Sequence, residues 1–198
     1  MGRHAALTDT ELADAARSGD RRALDTLLER HAEQIHRICR RVLVDAEDAR
    51  DATQEALVAV ARGIGRYDGR AQFTTWMYRV ATNAALDEAR RRRRRPQPVD
   101  QVPEPAGPSD DVAKTVTDRI VIEAALGALA PDYRATIALR EITGLEYAEI
   151  AQVLDIPIGT VRSRIARARA MLADTLAGTL VDTSGNNPRP CDRPTVVP

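Results

Sequence analysis

An all-α fold of two small helical domains is predicted by three features of the sequence. Apolar residues recur at helical rather than alternating spacing, with no convincing strand pattern. Capping residues stand where helices would open, as in Thr8–Glu11 and at Asp20 and Asp45. Residues 96–115, dense in proline and acids, interrupt the helical pattern and carry too little apolar surface to fold, so they read as a flexible linker. The length of 198 residues fits one medium domain or two small ones, each with a modest core.

Taken in order, Thr8 and Glu11 form a capping-box pattern that opens a short helix. Asp20 caps a longer one through about Val44, whose stripe is Leu24, Leu27, Leu28, Ile35, Ile38 and Val42. A third helix begins at Asp45, with Asp48 in its first turn, and runs through Ala49, Ala52, Ala56, Leu57 and Val60 to Ile64. Gly65 and Gly69 break it, and a fourth runs from about Phe73 to Arg95, closed by Pro96. Beyond the linker, Ile120–Leu129 reads as a helix, Pro131 starts the next, and the last of three ends near Leu176. The expected organisation is a first domain over 8–95, a linker over 96–115, a second domain over 116–178 and a disordered tail over 179–198.

Composition excludes several classes. With 43% hydrophobic and 29% charged residues the chain reads as soluble and globular. No apolar run reaches the roughly 20 residues a membrane helix needs, and the N-terminus lacks a signal-peptide core, which predicts a cytoplasmic protein without membrane insertion. Cys39 and Cys191 are too few for a disulfide framework and read as thiols. The formal net charge of zero conceals two basic blocks, residues 66–95 at +6 and 158–170 at +4, in an otherwise acidic chain. A polyanion responds to such local fields within a Debye length of roughly 8–10 Å, so two separate nucleic-acid contacts are expected.

The sharpest motif is YAEIAQVLDIPIGTVRSRIARARAML, from Tyr147 to Leu172. Ile150, Ala151 and Leu154 give the inner face of one helix, Asp155–Pro157 the turn, and Val161, Ile165, Ala168 and Leu172 the inner face of the next. This is a helix-turn-helix pattern, with small Ala151 at the crossing. Arg162, Arg164, Arg167 and Arg169 project from the opposite face, with Thr160 and Ser163 near its start. Arginine bonds guanine bidentately or pairs with phosphate, and short hydroxyls reach phosphates or base edges. The bland alternative is a helical hairpin with a solvated arginine face.

In the first half, Tyr67, Phe73, Trp76 and Tyr78 cluster beside arginines. Aromatic rings can stack on unpaired bases, at about 1–3 kcal/mol per base, while cations hold the backbone. Phe73, Trp76 and Val80 also share a helical face, which favours core packing for the first two; Tyr67 and Tyr78 are expected at the surface. Asn83 and Asp87, one turn apart, would form a polar pair that reads base edges, or would be solvated. The cations Arg90–Arg95 suit the C-terminal end of the helix dipole, and a localisation signal is their alternative reading.

Enzymatic readings find little support. Asp45, Asp48, Asp51 and Glu55 lack a histidine or second acidic cluster to complete a metal site. His31, His36 and Cys39 are spread around a helix and suit structural roles. No phosphate loop or nucleophile motif occurs, and no cofactor is called for.

The ordered blocks DAEDARDATQEALVAV, FTTWMYRVATNAALDEARR and YAEIAQVLDIPIGTVRSRIARARAML resemble those of the extracytoplasmic-function sigma factors, over most of residues 8–176. The arginine-rich style and NAALDEARRR are similar to the actinobacterial sigma M type. The resemblance implies a sigma-2-like first domain and a sigma-4-like second domain, and core RNA polymerase and promoter DNA as partners. It places Asp48, Asp51, Gln54 and Glu55 on the beta-prime clamp coiled coil; three of these acids also share a helix face by spacing. Contact with the beta flap and an anti-sigma factor covering the same surfaces are implied likewise. The loop Arg66–Gln72, with Arg66, Tyr67, Asp68 and Arg70, matches the family's specificity loop for a flipped minus-10 base, and Asn83 falls where the family completes that pocket. Tyr78, Asp87, Arg90 and Arg91 complete the minus-10 set. Thr160, Arg162, Ser163, Arg164 and Arg167 match the reader of duplex minus-35 DNA. Family likeness further implies that the linker threads toward the polymerase active-site cleft, with Asp100, Glu104, Asp110 and Asp111 imitating nucleic acid. Within DNA binding, the competing reading is a helix-turn-helix regulator acting without polymerase; outside it, a helical protein-interaction adaptor.

Overall fold

The computed structural model describes residue 4, residues 6–94 and residues 121–183, and every regular element in them is helical. The first half comprises α1 (Asp9–Arg17), α2 (Arg21–Val42), α3 (Ala46–Gly63), a 3-10 turn at Ile64–Arg66 and α4 (Phe73–Arg94). The second comprises α5 (121–128), α6 (Pro131–Thr143), α7 (Tyr147–Leu154) and α8 (Ile158–Thr183).

Local chemistry opens these helices as expected. Thr8 and Glu11 close a reciprocal capping box on α1. The carboxylates of Asp20 and Asp45 accept first-turn N–H groups of α2 and α3, filling the orphan donors every helix start presents. α2 stops at Val42 rather than Val44, because Leu43 turns extended and the chain is taken over by the Asp45 cap. At the other end α8 continues through Thr183, past the expected boundary at 178; the start of the predicted disordered tail is therefore helical. The linker 96–115, Arg95 and residues 184–198, with Cys191, lie outside the described residues.

Packing joins the halves. Leu12, Leu27, Ile35, Ile38, Val60 and Met77 from the first half belong to one buried cluster with Leu139, Ile150, Val153, Val161 and Ile165 from the second. α2 packs against α6 and α4 against α7, in addition to their packing within the first half. A smaller cluster of Leu129, Ile137 and Ala168 seals α5, α6 and α8. Gly144, at φ +70, ends α6 and returns its N–H to the Arg140 carbonyl at 3.1 Å.

Candidate nucleic-acid interface

The loop between α3 and α4 is built on a frame of rings. Tyr67 meets Phe73 edge-on at 5.9 Å and Trp76 at 5.5 Å, and Phe73 lies 5.8 Å from both Trp76 and His31. His31 is held from behind by Asp9, 2.7 Å from its Nε2. The Tyr67 hydroxyl donates to the Ala71 carbonyl at 2.5 Å, pinning both ends of the loop. The frame fits tightly: a Cβ added at Gly63 would sit 3.0 Å from the Trp76 ring.

This arrangement corrects the sequence reading of two tyrosines. Tyr67 and Tyr78, expected at the surface, are 5% and 9% exposed. Burial also raises both phenol pKa values above their ordinary range. The alternation of polar and aromatic residues hid this, because Tyr67 packs back onto Phe73 and Trp76 of α4, while Tyr78 faces inward from α4 beside Gln34 of α2. Phe73 is core as expected and Trp76 is half-buried. The groups left at the surface are Arg66, Asp68 and Arg70, with the Asp68 carboxylate accepting the Arg70 N–H at 3.0 Å.

Asn83 and Asp87 lie exposed one turn apart on α4 beyond this loop. No hydrogen bond joins them; Asp87 instead accepts from Arg90 at 2.7 Å. The first three arginines of the run are occupied. Arg91 donates to Glu55 at 2.7 Å and Glu88 at 3.1 Å, while Arg92 pairs with Asp48 and lies 3.5 Å from Asp45. Glu55 and Asp48 respectively push the Arg91 and Arg92 guanidinium pKa values up. Asp45, which caps α3, is held below the usual carboxylate range, chiefly by the Asp48 N–H it accepts. The acidic stripe of α3 is thus divided: Asp48 and Glu55 are bridged to α4, and Asp51 and Gln54 stand exposed.

The helix-turn-helix has the geometry its sequence foretold. Glu146 and Glu149 form a capping box on α7, and Asp155 ends that helix in the left-handed region at φ 54. The Thr160 and Val161 N–H groups then bond the Pro157 carbonyl, starting α8. Val161, Ile165 and Ala168 are buried, while Arg162, Ser163 and Arg167 are exposed and Arg164 is half-buried. Ser163 donates its hydroxyl to the Thr160 carbonyl at 3.0 Å. None of Arg162, Arg164 and Arg167 makes an ion pair among the described residues, whereas Arg169 reaches Glu141 at 2.9 Å.

Polar ties between the halves were invisible in the sequence, the Arg40–Glu123 pair at 3.5 Å among them. Arg79 on α4 donates to the Gln152 carbonyl at 2.8 Å and lies 4.0 Å from Asp155, so α4 grips the turn of the helix-turn-helix. Gln34 donates to the Ile142 carbonyl at 3.3 Å. The three residues weighed as a zinc trio point to different partners: His36 sits 3.1 Å from the Thr53 hydroxyl, and Cys39 is buried, its thiol pushed up to about 11.

Residues 27–95 match Sigma-70 region 2 and residues 119–172 match Sigma-70, region 4. The ECF RNA polymerase sigma factor SigM of Mycobacterium tuberculosis is 38% identical over 176 residues, covering 88% of this chain and 87% of the relative. The chain belongs to the extracytoplasmic-function sigma factors. The RNA polymerase sigma-H factor of Pseudomonas aeruginosa is 36% identical over 186 residues, with 85% of this chain and 93% of the relative covered. Among solved structures, CnrH in complex with the cytosolic domain of CnrY superposes with a TM-score of 0.64 at 28% identity, covering 89% of this chain and 99% of that one. The fold is also that of RpoE of Bartonella quintana, solved with the anti-sigma factor NepR, at a TM-score of 0.60, 21% identity and coverage of 77% and 96%. In the terms of this sigma-factor family, α4 and its loop belong to region 2, and α6–α8 to region 4.

Proposed function

We infer that the protein directs core RNA polymerase to specific promoters and assists their opening in transcription initiation. The observation that carries this reading is the order on one chain of a matched region 2 and a matched region 4, the latter ending in an unpaired Arg162, Arg164, Arg167 face. Its first domain spans 8–95 and its second 116–178. Arg162, Arg164 and Arg167, with Thr160 and Ser163, read the minus-35 element in the major groove. There a bidentate arginine is worth about 1–3 kcal/mol of base discrimination. Arg66, Asp68, Arg70 and Asn83 receive the extruded minus-10 base, with Tyr67 holding the loop's shape and Tyr78 buried on the inner face of α4. Extrusion costs a few kcal/mol, offset by a fitted pocket. Asp87, Arg90 and Arg91 flank the opened strand.

Asp51 and Gln54, exposed on α3, make the first contact with the beta-prime clamp; Asp48 and Glu55 join when Arg92 and Arg91 release them. The second domain meets the beta flap. An anti-sigma factor is a natural partner, because CnrH and RpoE were each solved with a binding protein. The protein performs no catalysis of its own, acts in the cytoplasm, and is of the SigM type, to a member of which it is 38% identical. Run-off transcription with core polymerase from the source organism tests the reading, on promoters selected from random DNA by the reconstituted holoenzyme. A discrete transcript that requires the protein is expected; core polymerase that selects no sequence and starts no transcript in its presence overturns it.

A further inference from the structure

Arg134 stands where a cation should not. It lies on the first turn of α6, is 7% exposed, and its Nε is buried without a hydrogen-bond partner. It makes no ion pair with any described residue. Burial lowers its pKa, and the neighbouring Arg93 cation lowers it further. The start of α6 adds to the conflict: Ala130 offers no side-chain cap, and the positive end of the helix dipole repels a guanidinium while attracting an anion. A buried guanidinium nitrogen without a partner carries a desolvation penalty, which an anion reaching the same guanidinium from the cavity it lines would offset.

The surroundings supply room and more cations. Arg134 lines a cavity of about 640 Å³ between α2 and α5–α6, whose walls also carry Arg37, Arg40 and Arg41. Two adjoining hollows of about 360 and 340 Å³ share Arg134, the first of them also lined by Arg92 and Arg93. Asp132, in the same turn of α6, is exposed, and three other acids of the surrounding helices are already taken. Glu123 faces Arg40 at 3.5 Å, Asp48 pairs with Arg92, and Glu141 holds Arg169 at 2.9 Å. Arg37, Arg41 and Arg93 make no ion pair among the described residues. Leu43, Val44, Ile122 and Leu126 add apolar surface to the lining of the first of these cavities.

We propose that this cleft between the two halves binds a small organic phosphate of the nucleotide class, with its phosphates on Arg37, Arg41 and Arg134 and its base against the apolar lining. Guanidinium forks match phosphate oxygens bidentately, and the volume lies in the usual range for small-molecule sites. A ligand seated there touches α2 of the first half and α6 of the second, and so ties the halves together.

Calorimetric titration of the full chain with adenosine triphosphate, and separately with inorganic pyrophosphate at matched ionic strength, tests this without polymerase, so its failure is distinct from failure of the sigma-factor reading. One saturable site is expected, weakened at least tenfold in Arg134→Gln and in Arg37→Gln/Arg41→Gln, and unchanged in Arg22→Gln, which lies outside the cleft. The double variant on the surface of α2 keeps the test valid if Arg134→Gln does not fold. Tighter binding of the nucleotide than of pyrophosphate supports contact of the base with the apolar lining. The absence of saturable binding, or equal binding by all variants, overturns the proposal. So does binding that emerges only when Asp100, Glu104, Asp110 and Asp111 are changed to asparagine, because the chain's own acids are then the anion.

Discussion

Two helices of this protein carry runs of arginine, and they use them in opposite ways. At the end of α4, Arg90, Arg91 and Arg92 are each bonded to carboxylates of α3 or α4 itself. On α8, Arg162, Arg164 and Arg167 have no acidic partner among the described residues. In the sequence the α4 block is the more basic of the two, yet in the fold three of its arginines are already paired, leaving Arg93 and Arg94, whereas Arg162, Arg164 and Arg167 of α8 all remain available to a polyanion. Charge density predicts where a field originates; only tertiary structure shows how much of it has been neutralised. A partner that took Asp48 and Glu55 would free Arg92 and Arg91, which those acids now hold.

The largest expected effect falls on the free face. Changing Arg162, Arg164 and Arg167 together to alanine is expected to cost about 3–9 kcal/mol in promoter binding by holoenzyme, at about 1–3 kcal/mol for each arginine. It should also flatten the dependence of log affinity on log salt by about 0.9 for each phosphate left without its cation. A salt series of filter-binding curves measures both, and an unchanged slope would show that α8 is not the reader. Arg90 and Arg91, changed to alanine in the same assay, should flatten the slope less while their bonds to α3 and α4 persist; an equal drop would erase the contrast.

Next comes the ring frame. Phe73→Ala should destabilise the protein by about 3–5 kcal/mol in urea unfolding, as for other buried aromatics. If stability is kept and only promoter opening fails, the rings stack on DNA rather than on each other. A smaller effect is expected at Asp45, whose replacement by alanine should cost about 1 kcal/mol through removal of the α3 cap. Its pKa is lowered in the folded state, so its contribution is present above the unfolded value of 3.8 and is lost as pH falls through the folded one. Asp45→Asn should keep the capping bonds and remove that part of the acid sensitivity, which melting curves between pH 3 and 6 would resolve. The smallest effect belongs to Arg91 and Glu55, exposed by 49% and 48%. A double-mutant cycle to glutamine should give about 0–1 kcal/mol of coupling. A larger value would mean the latch between α3 and α4 is too strong for a partner to open.

What the sequence made legible was local. The caps at Thr8, Asp20 and Asp45 act across three residues or fewer, and the helix-turn-helix repeats its apolar spacing within one short segment. These interactions are decided before the chain folds back on itself, and the structure retains them. The candidate site was legible by residue type rather than by state. Tyr67 and Tyr78 were misjudged because burial of their rings depends on tertiary packing, of Tyr67 against Phe73 and Trp76 and of Tyr78 on the inner face of α4 beside Gln34. The Arg91–Glu55 and Arg92–Asp48 bonds span 36 and 44 residues, and Arg79 finds Gln152 across 73. No periodicity encodes such pairings, since they follow from how α3, α4 and α7 are stacked. Arg134 left a faint trace, a charge at a position of α6 whose neighbours Ala135, Ile137 and Ala138 are apolar.

The single apolar cluster that runs through both halves has a consequence for the protein's lifetime. The faces of α6 and α7 that pack on α2 and α4 would be left wet if the halves drew apart, so an open chain is also a sticky one. Separation is therefore safest when another surface is already at hand to cover it. A chain that opened in free solution would offer itself to proteases and to its own copies before it met a promoter, so demand for transcription and survival of the protein become linked through the same stretch of oily surface.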